Sequence, residues 1–118
     1  MTGACLLVSR AHYLAVGGLD AENLKVAFND VDFCLKLREH GLQNLYAPAA
    51  RLIHHESVSR GQDLSPEKAA RFAAEVAWMQ QRWGDQLPHD PAYNPHLSLD
   101  NPHYRLAWPP RVERWAVA

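Results

Sequence analysis

The sequence predicts a small α/β layer, in which a sheet of two or three short strands carries flanking helices. Along the chain the elements are predicted in the order strand, helix, helix, strand, strand, helix, which is typical of this class. Each predicted helix also has its own start and stop residues. A sheet of so few strands would have exposed edges. The sequence therefore also predicts that this layer is a piece of a larger sheet.

The first strand is predicted over residues 4–8, a continuous apolar run. Ser9 is a favoured N-cap, so a short helix should cover residues 10–16 and end at the Gly17-Gly18 pair. The direct start on an apolar strand gives the expectation that the chain belongs to a longer protein.

The second helix is predicted to begin at Asn29, as N-cap, and to end at Gly41. Asp32 lies three residues after Asn29, where a capping-box side chain would reach back to the N-cap. The apolar stripe of this helix is predicted from Val31, Cys34, Leu35, Leu37 and Arg38.

Two short strands are predicted over residues 42–46 and 51–54, followed by a polar loop over residues 56–64. The clearest helix then starts at Ser65-Pro66-Glu67, with an N-cap, a proline at the first position and an acid in the first turn. Its apolar positions recur at spacings of three and four, and Gly84 ends it: Ala69, Phe72, Ala73, Val76, Met79 and Trp83.

Composition favours one soluble globular domain over residues 1–118, since 47% of the residues are hydrophobic and 21% are charged. We divide it into an acceptor and base region (1–64), the long helix (65–84) and an irregular proline-rich tail (85–118). Net charge is −1, which excludes long-range attraction to nucleic acid. No apolar run is long enough to span a bilayer, and Cys5 and Cys34 are predicted to be reduced core thiols of a cytosolic protein.

The first chemical constellation is the acid pair Asp30 and Asp32 in the first turn of the second helix. Residues two apart on a helix point about 200° apart, so only one of them can face a given site. Asp30 could act as a general base held ionised by the helix dipole. Both acids could equally serve only to complement that dipole.

The second constellation is His54-His55 at the end of a strand, where neighbouring side chains face opposite sides. One imidazole could bind a divalent metal, or the pair could be an ordinary surface pair. The third is Arg60 beside Gly61, suited to close over a phosphate, or else a solvated loop arginine. Tyr93, Tyr104 and Trp108 in the tail could stack on a sugar or simply anchor the tail.

Taken in order, the segments 2–8, 16–20, 28–38, 54–57, 59–61 and 90–99 resemble the C-terminal half of family 2 glycosyltransferases. These are inverting enzymes of the type-A fold that build bacterial polysaccharides, and rhamnosyltransferase-like members are the most similar. The resemblance covers about residues 2–105. It implies the type-A, nucleotide-diphospho-sugar transferase fold for this chain.

The resemblance also implies roles for single residues. The family's catalytic base corresponds to Asp30, although Asn29 stands where glutamate is commoner. The metal-binding histidine corresponds to His55 or His54, with His55 favoured, and the arginine of the loop corresponds to Arg60. The acceptor side would be formed by Gly3, Asn29 and Asp32.

The family resemblance implies a nucleotide-sugar donor, a glycan or lipid-linked acceptor and a divalent metal, Mg or Mn. The family's nucleotide-binding units and its Asp-x-Asp metal motif belong to an N-terminal half that these residues do not include. We therefore expect no sugar transfer by this chain alone, a location in the cytoplasm or at the inner face of the membrane, and self-association through the exposed sheet edge. Two alternatives remain open: a non-catalytic binding module that keeps the fold, and an unrelated metal-binding α/β domain.

Overall fold

The computed structural model describes residues 3–55, 65–90, 93–100 and 103–112 of the chain. These residues form the helices α1 (Arg10–Ala15), α2 (Asn29–Glu39) and α3 (Pro66–Trp83), followed by a short 3-10 helix, Leu87–His89. The three predicted helices are confirmed. None of the helices in the described ranges is long and apolar enough to cross a membrane.

The limits of the helices follow from their sequence signals. The Ser9 hydroxyl accepts a hydrogen bond from the His12 amide and caps α1 as predicted. Pro66 is the first residue of α3, where the missing N–H costs nothing, and the Ser65 carbonyl accepts the amides of Lys68 and Ala69.

The predicted capping box at α2 is wrong. The N-cap is Phe28, in the left-handed conformation (φ 62°, ψ 2°), and its side chain makes no capping hydrogen bond. Asp32 does not reach back to the N-cap, because its carboxylate is fully buried and pairs with Lys36 one turn further on. The predicted stripe is shifted accordingly, and the buried face consists of Asp32, Phe33, Cys34, Lys36 and Leu37.

The predicted strands over residues 4–8, 42–46 and 51–54 are not formed as strands. Within the described ranges the only β pairing is an isolated antiparallel bridge between Leu97 and Leu106. A strand needs a partner for its backbone N–H and C=O groups, and these three segments find none among themselves. The type-A fold with its sheet stays a prediction.

Side chains of the first segment nevertheless alternate as they would in a strand. Leu6 and Val8 pack on the core, whereas Leu7 between them is 99% exposed. The segment after α2 behaves similarly, with Leu42 packed on the core and Leu45 79% exposed. One face of each segment is therefore covered by helices and the other is bare.

The chain divides into two compact units, Met1–Met79 and Gln80–Ala118. The core of the first unit lies between α1 and α2, where the rings of Tyr13 and Phe33 are 5.3 Å apart. The core cluster comprises Val16, Phe33 and Leu37, with Leu6, Val8 and Leu42 packed against it. The expected single domain over residues 1–118 stays a prediction.

The Gly17-Gly18 turn joins α1 to the loop that leads towards α2. Both glycines have positive φ, 76° and 66°, which side-chain-bearing residues rarely adopt. A Cβ on Gly18 would also lie 2.8 Å from ring carbons of Tyr13. Asp20 then accepts hydrogen bonds from the amides of Glu22 and Asn23, and this turn delivers Leu24 to the interior, where it is fully buried.

In the second unit the tail is held by its own polar contacts. The Tyr93 hydroxyl donates to the Ser98 carbonyl at 2.8 Å. The Arg111 guanidinium donates to the carbonyls of Leu97 and Pro88 at 2.9 and 2.7 Å. Of the three aromatic residues singled out in the tail, Tyr93 thus serves as an anchor, while Trp108 is 91% exposed.

Candidate functional site

The candidate site is the N-terminal turn of α2, where the half-buried Asp30 carboxylate contacts two backbone amides. Its Oδ1 atom accepts a hydrogen bond from the Val31 amide at 2.9 Å. Its Oδ2 atom accepts one from the Gly3 amide, 27 residues earlier in the chain. The structure therefore brings together Gly3 and Asp30, which are predicted from the family resemblance to be an acceptor-side residue and the base.

Gly3 approaches Asp30 so closely that a side chain would be crowded there. A Cβ at position 3 would lie 3.1 Å from the Asp30 Cβ and 3.3 Å from its Oδ2. The absence of a side chain is therefore what lets the Gly3 amide reach the carboxylate. This contact fixes one oxygen of Asp30, while each oxygen keeps a further lone pair for a proton donor.

The two acids of the first turn of α2 have separate environments. Asp32 is fully buried, and its Oδ2 lies 3.0 Å from the Lys36 ammonium, which also donates to the Gly18 carbonyl at 2.7 Å. Asp32 thus belongs to a buried ion pair that ties α2 to the Gly17-Gly18 turn. A side chain with no exposed surface cannot touch an acceptor, so the acceptor role predicted for Asp32 has no support here.

The segment that precedes α2 is held by Glu75, a residue that is not among the predicted site residues. Glu75 of α3 is 2% exposed, and its two carboxylate oxygens accept the amides of Val26 and Ala27 at 3.0 and 3.1 Å. A signal was present in the sequence, because Glu75 stands between Phe72 and Met79 at the three- and four-residue spacing of the apolar stripe. An acid in that stripe indicates a buried partner.

The remaining predicted site residues are not brought to Asp30 by any described contact. Asn29 is the half-buried first residue of α2. His54 and His55 are both exposed, and Arg60 lies outside the described residues.

The part of the chain that the structure describes contains no group of three or more His, Cys, Asp or Glu side chains placed to hold a metal ion. His54 and His55 are adjacent, so in an extended segment they point to opposite sides and supply at most one ligand to a common ion. The described residues do not make a metal site on their own. The divalent-metal prediction stays a prediction.

A concave feature lies in the tail unit, and none of its described lining residues is among those predicted for the site. It is an open depression of about 530 Å³, lined by Pro88, His89, Asp90, Tyr93, Pro95, Arg111 and Val112. Several of its polar groups are engaged within the unit, since Arg111 binds two carbonyls and the His89 Nδ1 lies 2.9 Å from the Asp85 carbonyl.

Comparison with known proteins places these residues in a wider context. The chain is 47% identical, over its whole length, to the "uncharacterized protein y4gI" of Sinorhizobium fredii (strain NBRC 101917 / NGR234), of which it covers 12%. It is 38% identical over 101 residues, 84% of the chain, to the O-antigen biosynthesis protein RfbC of Myxococcus xanthus, of which the match covers 7%.

A third relative is the N-acetylglucosaminyl-diphospho-decaprenol L-rhamnosyltransferase of Mycobacterium tuberculosis (strain CDC 1551 / Oshkosh). It is 33% identical over 82 residues, which is 70% of this chain and 26% of that enzyme. The chain thus spans only a small part of the length of each relative. No family model and no solved structure matches it. The matches support a glycosyltransferase-like region.

Proposed function

We propose that this chain is the acceptor-side part of an inverting glycosyltransferase, with Asp30 as the general base. The longer enzyme would transfer a sugar from a nucleotide-sugar to an acceptor hydroxyl in bacterial polysaccharide or cell-envelope assembly. The observation that carries the proposal is the contact of the Asp30 carboxylate with the Gly3 amide at the start of α2. The names of two relatives, for O-antigen biosynthesis and rhamnosyl transfer, support the class of reaction.

In the proposed step the acceptor hydroxyl donates its proton to Asp30 as its oxygen attacks the anomeric carbon of the donor. The bond from that carbon to the nucleotide diphosphate breaks, and the diphosphate leaves with the bonding electrons. Attack opposite to the leaving group inverts the anomeric configuration. The Gly3 and Val31 amides hold the carboxylate in one orientation, which favours proton transfer over a short distance.

Asp30 suits this role better than Asp32 because the two differ in access. Asp30 is half-buried and accepts only backbone amides in the contacts described above, so a hydroxyl can approach it. Asp32 is enclosed and neutralised by Lys36. A base must reach its proton donor at about 2.6–3.2 Å, which excludes the enclosed acid.

We also propose that the extended segments of this chain complete a type-A sheet in the longer enzyme. Large apolar side chains of these segments have high exposed fractions: Leu7 99%, Leu45 79%, Tyr46 85%, Leu52 70% and Ile53 83%. Leu45 with Tyr46 and Leu52 with Ile53 are neighbours, so in an extended segment these side chains lie on both faces. Apolar surface of this extent marks an interaction face. A donor-binding half would supply both the pairing strands and the layer that covers this surface. The small share of each relative that the chain spans supports such a half.

The test is transfer by the longer enzyme with Asp30→Asn, which keeps the shape of the side chain and removes its basicity. We expect kcat to fall by about a hundredfold to ten-thousandfold, the usual contribution of a general base, with the KM for the donor unchanged. Gly3→Ala should lower kcat less, because the added methyl displaces the carboxylate without removing it. Asp85→Asn is the matched control, since Asp85 is exposed and belongs to the second unit.

Retained turnover in Asp30→Asn would refute the base assignment, and lost donor binding would show that Asp30 acts on the donor instead. The isolated 118-residue chain should transfer no sugar. Robust turnover by that chain would contradict its description as the acceptor-side part. A longer enzyme that binds glycan but transfers nothing would favour a non-catalytic binding module.

A further inference from the structure

The backbone just before α2 is held by one buried carboxylate, that of Glu75 in α3. Glu75 accepts the amides of two consecutive residues, Val26 and Ala27, one with each oxygen. Hydrogen bonds to an ionised acceptor are about twice as strong as neutral ones. Because Glu75 is 2% exposed, water does not compete for its oxygens. The backbone at positions 26 and 27 therefore has one strongly preferred place relative to α3.

The next residue, Phe28, is in a conformation that needs such support. A bulky residue at φ 62° is uncommon, because the left-handed region crowds the Cβ against the backbone. Its ring packs on that of Phe72 from the same helix α3, with centroids 5.6 Å apart. Strained backbone of this kind persists where the surrounding contacts determine it, and such positions concentrate near functional sites.

Phe28 sets the start of α2, since its carbonyl accepts the Asp32 amide at 2.8 Å as the first bond of the helix. Asp30 lies two residues beyond Phe28, within that first turn. The place of the Asp30 carboxylate beside the Gly3 amide thus depends on where Val26, Ala27 and Phe28 are held. No other charged side chain accepts the Val26 or Ala27 amides in the contacts of the described residues.

We propose that Glu75 is a positioning residue for Asp30, acting through the amides of Val26 and Ala27. Phe72 assists it by holding the Phe28 ring. The functional part of this inference rests on the proposed role of Asp30. In the longer enzyme these contacts of Glu75 and Phe72 set the direction from which Asp30 meets the acceptor hydroxyl. They contribute nothing to donor binding.

The first experiment measures this in the longer enzyme with Glu75→Gln. Glutamine keeps the volume, but its NH₂ group would face one of the two amides, so one hydrogen bond is lost and two donors are opposed. We expect kcat to fall about tenfold to hundredfold, the effect of a small misplacement of a catalytic group, with the donor KM unchanged. Glu67→Gln is the matched control, because Glu67 is an exposed acid of the same helix.

A second variant, Phe72→Ala, keeps the inference testable if Glu75→Gln fails to fold. Phe72 is 52% exposed, so Phe72→Ala should fold, and it should lower kcat in the same direction but by less. If Glu75→Gln and Phe72→Ala both retain the kcat of the Glu67→Gln control, the positioning role is refuted. A rise in donor KM with kcat unchanged would also refute it.

The third measurement separates this inference from the function of Asp30. In ¹⁵N-labelled chain of 118 residues, Glu75→Gln should shift the amide signals of Val26 and Ala27 and also that of Gly3. The Gly3 amide donates to the Asp30 carboxylate, so its shift reports a displaced carboxylate. An unmoved Gly3 signal overturns the positioning, whatever Asp30→Asn does to turnover. A moved Gly3 signal together with full turnover in Asp30→Asn refutes only the proposed base.

Discussion

Replacing Lys36 by methionine should be one of the most damaging single changes in the first unit. The Lys36 ammonium lies 3.0 Å from the Asp32 carboxylate and 2.7 Å from the Gly18 carbonyl. Methionine keeps most of the apolar stem and removes the charge and its donors. The change leaves the Asp32 carboxyl without its ammonium partner at a position with no exposed surface.

The size of the effect follows from this burial. Removing one partner of a buried ion pair costs about 3–5 kcal/mol, because the remaining charge stays desolvated. The Lys36 side chain is 10% exposed and Asp32 is 0% exposed, so the pair belongs to the buried class rather than to surface pairs worth about 0–1 kcal/mol. Total stabilities of domains are about 5–15 kcal/mol, so the loss is a large part of the whole.

Urea unfolding of the chain, followed by helical circular dichroism, measures this loss. We expect a lower midpoint for Lys36→Met at an unchanged m value. The control Lys25→Met removes an exposed lysine and should change stability by less than about 0.5 kcal/mol. The double variant Asp32→Leu/Lys36→Met should recover part of the loss, because no isolated charge remains. A loss for Lys36→Met equal to that of the control would refute the buried-pair reasoning.

Two further predictions concern titrating groups. Burial raises the pKa of the Cys34 thiol, whereas Cys5 is exposed, so a thiol reagent at neutral pH should modify Cys5 quickly and Cys34 only after unfolding. The Cys5→Ser variant isolates the slow thiol, and equal rates for the two thiols would contradict the burial of Cys34. Partial burial opposes ionisation of Asp20, but hydrogen bonds from Asn23 and Glu22 outweigh it and lower the pKa of Asp20. Ionised Asp20 therefore stabilises the fold above its unfolded pKa of about 3.9, and this contribution is lost as the pH falls through the lower folded pKa. The stability difference between the chain and Asp20→Asn should be constant near neutral pH and shrink in acid, and a difference that does not vary with pH would show that the turn does not depend on the charge.

Local signals in the sequence predicted the helices well, because their caps are made by residues within one turn. Ser9 and Ser65 act through neighbouring backbone groups, so their meaning does not depend on the rest of the fold. The capping-box prediction for Asp32 is wrong because the contacts of this residue are not set by neighbouring backbone groups alone. Its partner Lys36 is only one turn away, but the full burial of Asp32 and the contact of Lys36 with the Gly18 carbonyl depend on tertiary packing.

The strands and most of the candidate site depend on partners that are distant in the sequence. Residues 4–8 have the alternation of a strand, but no neighbouring segment pairs with them in the described structure, and a strand exists only as part of a ladder. Asp30 was found from its place at a helix start and from the family resemblance. The amides that Glu75 holds lie 48 and 49 residues before it, so spacing alone could not reveal them. The predicted core position of Cys5 is wrong, since that thiol is exposed.

The Gly17-Gly18 pair has a consequence for which sequences can share this fold. Nothing lies within 4 Å of a Cβ at position 17, so only its backbone angle restricts it, and asparagine is the natural replacement. Position 18 is restricted twice, by its angle and by the Tyr13 ring. Among sequences that keep the turn, we therefore expect a residue other than glycine at position 18 only where position 13 carries a side chain smaller than tyrosine. The two neighbouring glycines are thus restricted differently, and only position 18 is coupled to an aromatic residue of the preceding helix.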